Sequence, residues 1–133
     1  MSYSIIQDLL DTQLATVASL PTLNKENTRN EPKTNVPYSR STLLPTETTG
    51  LSTHTDEFQG LYQVDLFYPQ SKGYTDAAEK ADLVIAAFQR GLELVDGGVR
   101  LHVRMAWRET ALPFQQFYNV PVMVRWSCLL PRS

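Results

Sequence analysis

"FQGLYQVDLFYP", residues 58–69, has the clearest β-strand pattern in the chain. One set of alternate residues is apolar: Tyr62, Val64, Leu66 and Tyr68. The set between them is mixed: Leu61, Gln63, Asp65 and Phe67. Because successive side chains of a strand point to opposite faces of the sheet, the apolar set is predicted to meet a core. A sheet needs only one buried face to fold, so the mixed face is either solvated or reserved for a partner.

Length and composition indicate one ordinary globular domain over residues 1–133. Apolar residues make up 42% and charged residues 20%, both typical of such domains. The net charge of -2 argues against a general nucleic-acid binder, which normally carries a basic excess. The single cysteine, Cys128, fits a reducing cytoplasm. No apolar run approaches the roughly 20 residues of a membrane helix, so we expect no membrane partner.

Two amphipathic helices are predicted, over residues 4–19 and 75–90, each with apolar residues at helical spacing. In the first helix, Asp8, Asp11 and Gln13 are expected on the wet side. Gly91 is well placed to end the second helix.

The remaining elements are predicted as strands and loops. Short strands are expected near 23–26 and 36–44, followed by the strand at 59–68, a hairpin turning at Asp96-Gly97-Gly98, and a last strand from Val120. Residues 45–57 have no period and are predicted to be a long mobile loop, and 108–119 a loop carrying aromatic residues. This order favours an α+β fold with a mainly antiparallel sheet and both helices packed on one face.

The alternation assigns side chains of the hairpin and last strand to two faces. The core side is predicted to carry Val99, Leu101, Val103, Met105 and Trp107. The opposite face is predicted to carry Gln63, Asp65, Phe67, Arg100, His102, Arg104, Met123 and Arg125.

Two interpretations of that opposite face stay open. It is either a solvated face with cross-strand charge pairs, each worth at most ~1 kcal/mol, or an assembly surface, since arginine among aromatic residues and methionine is typical of interfaces. Four aromatic residues strengthen the interpretation as an assembly surface, unless their rings fold back over the core edge. They are Trp107, Phe114, Phe117 and Tyr118.

Candidate catalytic and metal-binding groups are few. His54 with Asp56 and Ser52 or Ser41 could form a hydrolytic triad, but no nucleophile-elbow glycine pattern surrounds any serine. Two histidines and one cysteine do not have the spacing of a metal site. We therefore expect no enzyme activity, no cofactor and no metal.

Several short sequence segments are similar to those of one protein family. They are an N-terminal helix ending in "LPTLNKEN", then "VPYSRSTLLPTE", "GLYQVDLFYP", an alanine-rich helix ending in "FQRG", "DGGVRLHV" and "FYNVPVMVRW". Over nearly the whole chain this set resembles the tail terminator, or minor tail, proteins of long-tailed bacteriophages of the lambda type.

The resemblance implies an α+β protein that assembles with copies of itself into a ring, commonly a hexamer. The ring would cap the tail tube protein, stop tube growth and present a surface to the neck or head-completion protein, with DNA only passing through its hole. It implies a structural, late protein of the virion tail, assembled in the host cytoplasm, with no catalytic residues. The alternatives are a neck or head-completion connector, or a small hydrolase using His54 and Asp56.

The sequence also suggests which residues contact another subunit or the tube. They are Asp65, Arg100, Arg104, Arg125, Trp107 and Phe117, with the segment from Thr48 through His54 to Asp56.

Overall fold

The structure, a computed structural model, describes residues 3–17, 22–25, 37–50, 55–70, 75–96, 99–114 and 117–131. In these ranges the chain forms two helices and seven strands. In chain order they are α1 (Tyr3–Leu14), β1 (Thr22–Lys25), β2 (Tyr38–Gly50), β3 (Thr55–Pro69), α2 (Thr75–Ala87), β4 (Glu93–Asp96), β5 (Val99–Arg108), β6 (Leu112–Phe114) and β7 (Phe117–Pro131).

The described strands form one sheet in the order β1-β2-β3-β7-β5-β4, with β6 paired to β7. β1 runs parallel to β2, and the other pairs are antiparallel. The strand recognised first in the sequence, β3, pairs with β7 along its whole length, from Thr55 to Pro69. It therefore lies inside the sheet, where both of its edges are hydrogen-bonded.

Both helices pack on the same face of the sheet. Ile6 and Leu10 of α1, and Ala81 and Val84 of α2, are fully buried in one cluster with the apolar residues of β3, β5 and β7. The ring of Phe88, just after α2, lies 5.8 Å from that of Tyr62 on β3. The predicted α+β class, with a mainly antiparallel sheet and both helices on one face, is confirmed. Neither described helix combines the length and apolar character needed to cross a bilayer.

The N-terminal helix is shorter than the predicted 4–19. It ends at Leu14, and the next turn is tightened by bonds from Thr16 N to Gln13 O and Val17 N to Leu14 O. Residues 18 and 19 lie outside the described ranges. Asp11, expected on the wet side, is instead buried at 6% exposure, because it faces the hydroxyl of Tyr62 in the core.

The second helix leads into the hairpin through Gly91. This residue has a φ of 90°, a backbone conformation that is strained for residues with a side chain. Glycine is favoured here by that backbone conformation and not by lack of space, since a Cβ would meet nothing within 4 Å. Its amide donates to Val103 O at 2.9 Å, and Val103 N donates to Leu92 O at 2.8 Å. The end of α2 is thereby fixed beside β5.

The prediction of a long loop over residues 45–57 is wrong for the described part of that range. Residues 45–50 continue β2 and residues 55–57 begin β3, and the two strands pair from Tyr38↔Phe67 to Gly50↔Asp56. The one irregularity lies between Pro45 and Glu47, where proline has no amide to donate to the ladder. Pairing with β3 extends the strand through threonine-rich sequence, whose β-branched residues favour extended backbone.

Candidate assembly surfaces

The face of the sheet opposite the helices, here called the outer face, is built by strand pairing. Its Cα partners include Arg40↔Asp65, Gln63↔Met123 and His102↔Ser127. These pairs bring together the polar and charged residues that the alternation assigned to this face. The composition of the outer face therefore agrees with the sequence analysis, whereas the exposure of its members does not.

Asp65 is used inside the chain. It is 2% exposed, lies 3.7 Å from an Arg40 guanidinium nitrogen, and accepts a hydrogen bond from Gln63 Nε2 at 2.9 Å. A buried carboxylate needs such partners because leaving water is costly for a charge. Neighbouring strands therefore surround the Asp65 side chain, and its predicted contact with another molecule stays a prediction.

Phe117 also belongs to the interior. It is 4% exposed and makes an edge contact with Tyr38, with ring centroids 5.3 Å apart. Tyr38 in turn stacks on Phe67 at 4.4 Å, and the Arg40 guanidinium lies 5.4 Å from the Phe67 ring centre. The three rings form a second small core on the outer face. Phe117 thus stabilises the fold, which agrees with the alternative that its ring folds back over the core edge, and its predicted contact with another subunit or the tube stays a prediction.

A β-bulge in β5 changes the face of two predicted core residues. Val103 pairs with Trp126 and the next partner pair is Met105↔Arg125, so the register shifts between Val103 and Met105. Met105 is therefore 52% exposed, and Trp107 turns to the outer face beside Met123. The alternation predicted both on the core side and was wrong there, because an inserted residue reverses every later side chain.

The predicted arginines of β5 and β7 do lie at the surface. Arg100 is 3.5 Å from Glu93, which is also 3.7 Å from His102 Nδ1. Arg104 Nε donates to Ser127 Oγ at 2.7 Å.

The neighbouring Arg125 lies over an aromatic ring. Its guanidinium is 5.6 Å from the Trp107 ring centre, and Trp107 Nε1 donates to Glu109 at 2.9 Å. Arginine, tryptophan and the exposed Met105 form a surface of the composition that interfaces favour.

The predicted contact segment from Thr48 to Asp56 is only partly described. Thr48 pairs with Phe58 in the β2–β3 ladder, and Asp56 pairs with Gly50 and Leu130. His54 lies outside the described residues. A hydrolytic arrangement of His54 and Asp56 therefore has no described geometry.

A groove with a volume of about 500 Å³ opens beside β5, and we call it the arginine groove. It lies between the C-terminal end of α2 and the part of β5 that follows the bulge. Its lining residues are Ile85, Phe88, Gln89, Arg90, Arg104, Met105, Ala106 and Arg125. The sequence analysis missed Arg90 and this groove because the bulge that opens it leaves no mark in the alternation.

Groups suited to chemistry are sparse. Burial raises the pKa of the Cys128 thiol to about 11, so the thiol is protonated and unreactive at neutral pH. Across the part of the chain that the structure describes, no three His, Cys, Asp or Glu residues are grouped as metal ligands would be.

Comparisons with known proteins bear on the fold and on the family of the chain. One solved structure has a TM-score of 0.75 to this chain at 22% sequence identity, over 100% of this chain and 99% of the other, which supports the fold alone. No curated protein matches the chain. A family model described as "Phage tail terminator protein" matches residues 5–126. The chain therefore belongs to the phage tail terminator family, whose role is structural and lies in the virion tail.

Proposed function

We propose that the protein assembles into a ring, a hexamer, on the end of the tail tube. The ring ends tube polymerisation and gives the neck or head-completion protein its docking surface. The match to the terminator family over residues 5–126 supports this proposal. Assembly takes place in the host cytoplasm, late in infection, before the tail joins the head.

The observation that supports a ring is that the sheet has a partly unpaired strand edge on each of its two opposite sides. β1 covers β2 only from Tyr38 to Ser41, and β4 covers β5 only from Val99 to His102. Beyond these positions neither strand has a strand partner on its outer side within the described residues. Two different surfaces on opposite sides allow head-to-tail contacts, which close into a ring when the rotation between subunits fits.

Binding alone performs this function. A ring seated on the last layer of tube subunits occupies the surface that the next layer would need, so growth stops without any covalent step. The net charge of -2 suits a passage through which DNA moves without being held, since strong binding to phosphates requires an excess of lysine and arginine.

Tube assembly in vitro tests the proposal. Tail tube protein of the same phage is polymerised with and without this protein, and tube lengths are measured by electron microscopy. We expect shorter tubes with a ring of density at one end when the protein is present. Unchanged lengths and bare tube ends would contradict capping, and binding to portal-side proteins in place of tubes would favour the neck connector.

A further inference from the structure

β2 and β5 each have an open stretch on one edge. On β2, pairing with β1 stops at Ser41. On β5, pairing with β4 stops at His102, and main-chain bonds from the segment after α2 reach one residue further, to Val103. From residue 42 on β2 and from residue 105 on β5, no strand covers the outward side within the described residues.

The strand register places the two open stretches in the same rows of the sheet. Leu44 of β2 pairs with Leu61 of β3, which pairs with Arg125 of β7. Arg125 pairs with Met105 of β5, so this row begins at one open edge and ends at the other. Two further rows do the same: Thr42–Gln63–Met123–Trp107 and Leu43–Tyr62–Val124–Ala106.

Apolar residues lie at both ends of these rows. On the outer face, Leu44 is 37% exposed and Met105 is 52% exposed. On the opposite face, Leu43 belongs to the main core and Ala106 packs against it. Each edge therefore offers apolar side chains on both of its faces, as a strand inside a sheet does.

The main chain of β5 also faces this open edge. Glu109 N donates to Pro121 O of β7 at 2.8 Å. Alternate residues of an antiparallel pair direct their N–H and C=O groups to the same neighbour, so those of Trp107 and Met105 point to β7. Those of Ala106 and Arg108 point away from β7, where they form a template for a strand of another chain.

Neighbouring elements limit the two open stretches in complementary ways. β1 covers β2 up to Ser41, and β5 ends at Arg108, which lies in the row of Ser41. Val103, the last covered residue of β5, lies in the row of Pro45, where the pairing of β2 becomes irregular. A strand such as β2 could therefore lie along β5 beyond Val103 and bend away from β4 at its own bulge.

The arginine groove provides room for an added strand. Met105 and Ala106 of the open stretch line it, together with Ile85 and Phe88, and its volume is about 500 Å³. Its three arginines are exposed. Because arginine has a long apolar stem, its charged end can remain in water at the rim while the stem packs against apolar neighbours.

A second copy of the chain fits this edge. β2 and β5 run in opposite directions, since three antiparallel pairings connect them. A copy placed alongside with its strands in the same direction therefore presents its β2 antiparallel to β5. Because the open rows are at the same level, the contact needs no shift along the strands. Each further copy repeats it, as a head-to-tail ring requires.

We propose that residues 42–44 of one subunit pair antiparallel with residues 105–107 of the next, so that the sheets join edge to edge around the ring. Leu44 lies against Met105 on the outer face, and Leu43 lies beside Ala106 above the apolar floor of the groove. This inference rests on the proposed ring and names the strands and residues that join its subunits.

Cysteine cross-linking tests this contact. Leu44→Cys and Met105→Cys are introduced into one chain, whose native Cys128 is buried. The control carries Leu44→Cys with Val95→Cys, because Val95 is 56% exposed on the neighbouring strand β4 but lies outside the open rows. Both proteins are bound to tail tubes, mildly oxidised and separated by denaturing electrophoresis without reductant.

We expect Leu44→Cys with Met105→Cys to give a covalent ladder of monomer multiples and the control to stay monomeric. Opposed residues of an antiparallel pair have Cβ atoms about 4.5–5.5 Å apart, near the separation that a disulfide bridges. Each single substitution should give no cross-link. A dimer from Met105→Cys alone would show a two-fold contact between β5 edges and would overturn the proposal.

Charged substitutions test the same contact without cross-linking. Leu44→Glu and Met105→Lys each place a charge in the contact, so each alone should abolish rings at tube ends in electron micrographs. An equimolar mixture should restore them, because in a ring of alternating subunits every contact is either oppositely charged or wild-type. Leu112→Lys, at a site that is 57% exposed and outside the open rows, is the control and should keep the ring. Circular dichroism checks that each variant is folded.

The outcomes separate this inference from the proposed function. If the wild-type chain forms rings and caps tubes, but the cysteine pair gives no ladder and the charged variants still form rings, the edge contact is wrong and capping stands. If the charged variants keep the ring in solution yet fail on tubes, the edge binds the tube protein instead, which also overturns the inference. If the wild-type chain neither forms rings nor caps tubes, the proposed function itself fails.

Discussion

The hydroxyl of Tyr62, in the middle of β3, donates a hydrogen bond to the carboxylate of Asp11 on α1, and both side chains are buried. This bond ties the N-terminal helix to a central strand across the core. A polar pair inside an apolar layer also fixes how the helix sits, because any other placement would leave a buried acceptor with fewer partners.

Tyr62→Phe should lower the free energy of unfolding by about 1–3 kcal/mol, since it removes a donor from a buried carboxylate without opening a cavity. Urea denaturation measures this change. A cycle with Asp11→Ala isolates the coupling between the two residues.

The matched control for this substitution is Tyr118→Phe. Tyr118 is half-exposed, and its hydroxyl makes no hydrogen bond with the described residues, so removal of this hydroxyl should change stability little. Equal effects of the two substitutions would show that the Asp11 contact contributes nothing.

Stability should fall in alkaline solution. Burial, followed by the charge of Asp11, raises the pKa of Tyr62 above its ordinary value of 10.0, and burial raises that of Cys128 from 9.0 to about 11. The unfolded chain then loses these protons at lower pH than the folded chain. The stabilisation is complete below about pH 9 and is lost as pH rises towards the folded pKa values.

Urea midpoints measured from neutral pH to about pH 11 follow this loss. The decline should be shallower in Tyr62→Phe, which lacks one of the responsible groups. A variant with the same slope as the wild-type protein would rule out Tyr62 as a source of the pH dependence.

Helix α2 lies close to the sheet because its inward residues are small. Ala81 is fully buried, whereas Ala86 on the same helix is exposed. Ala81→Leu should destabilise the fold by about 1–3 kcal/mol through overpacking, and Ala86→Leu should stay within about 0.5 kcal/mol of the wild-type protein. Thermal unfolding of the two variants compares the same substitution at both sites, and similar shifts would contradict the packing of α2.

Phe117 is predicted to stabilise the subunit itself. Phe117→Ala should cost about 3–5 kcal/mol, because it removes a buried ring from contact with Tyr38. Leu112→Ala is the control, since Leu112 is on the neighbouring strand β6 and is 57% exposed. A folded Phe117→Ala subunit of normal stability that fails only in assembly would return Phe117 to the contact surface.

Much of the fold follows from local pattern. The alternation from Tyr62 to Tyr68 identifies a strand with one apolar face, and the spacing of Ile6, Leu10 and Leu14 identifies the stripe that α1 buries. These signals are readable because side-chain periodicity reflects burial directly. The Asp-Gly-Gly turn likewise predicts the pairing of β4 with β5.

Features that depend on tertiary pairing could not be read in this way. The bulge before Met105 reverses a face without any change in composition, and the extension of β2 through Glu47 depends on its partner strand. Burial of Asp65 and Phe117 comes from contacts with Arg40 and Tyr38, more than twenty residues away in sequence. Two residues of the predicted contact set, Asp65 and Phe117, are therefore interior in the folded chain, and the contact surface itself stays a prediction.

The most direct test of tube capping is electron microscopy of particles from a phage that lacks this gene. If the protein ends tube growth and presents the docking surface, we expect overlong tails of variable length that carry no heads, and normal virions when the gene is supplied in trans. Tails of normal length, properly joined to heads, in the absence of the gene would contradict its action as a terminator.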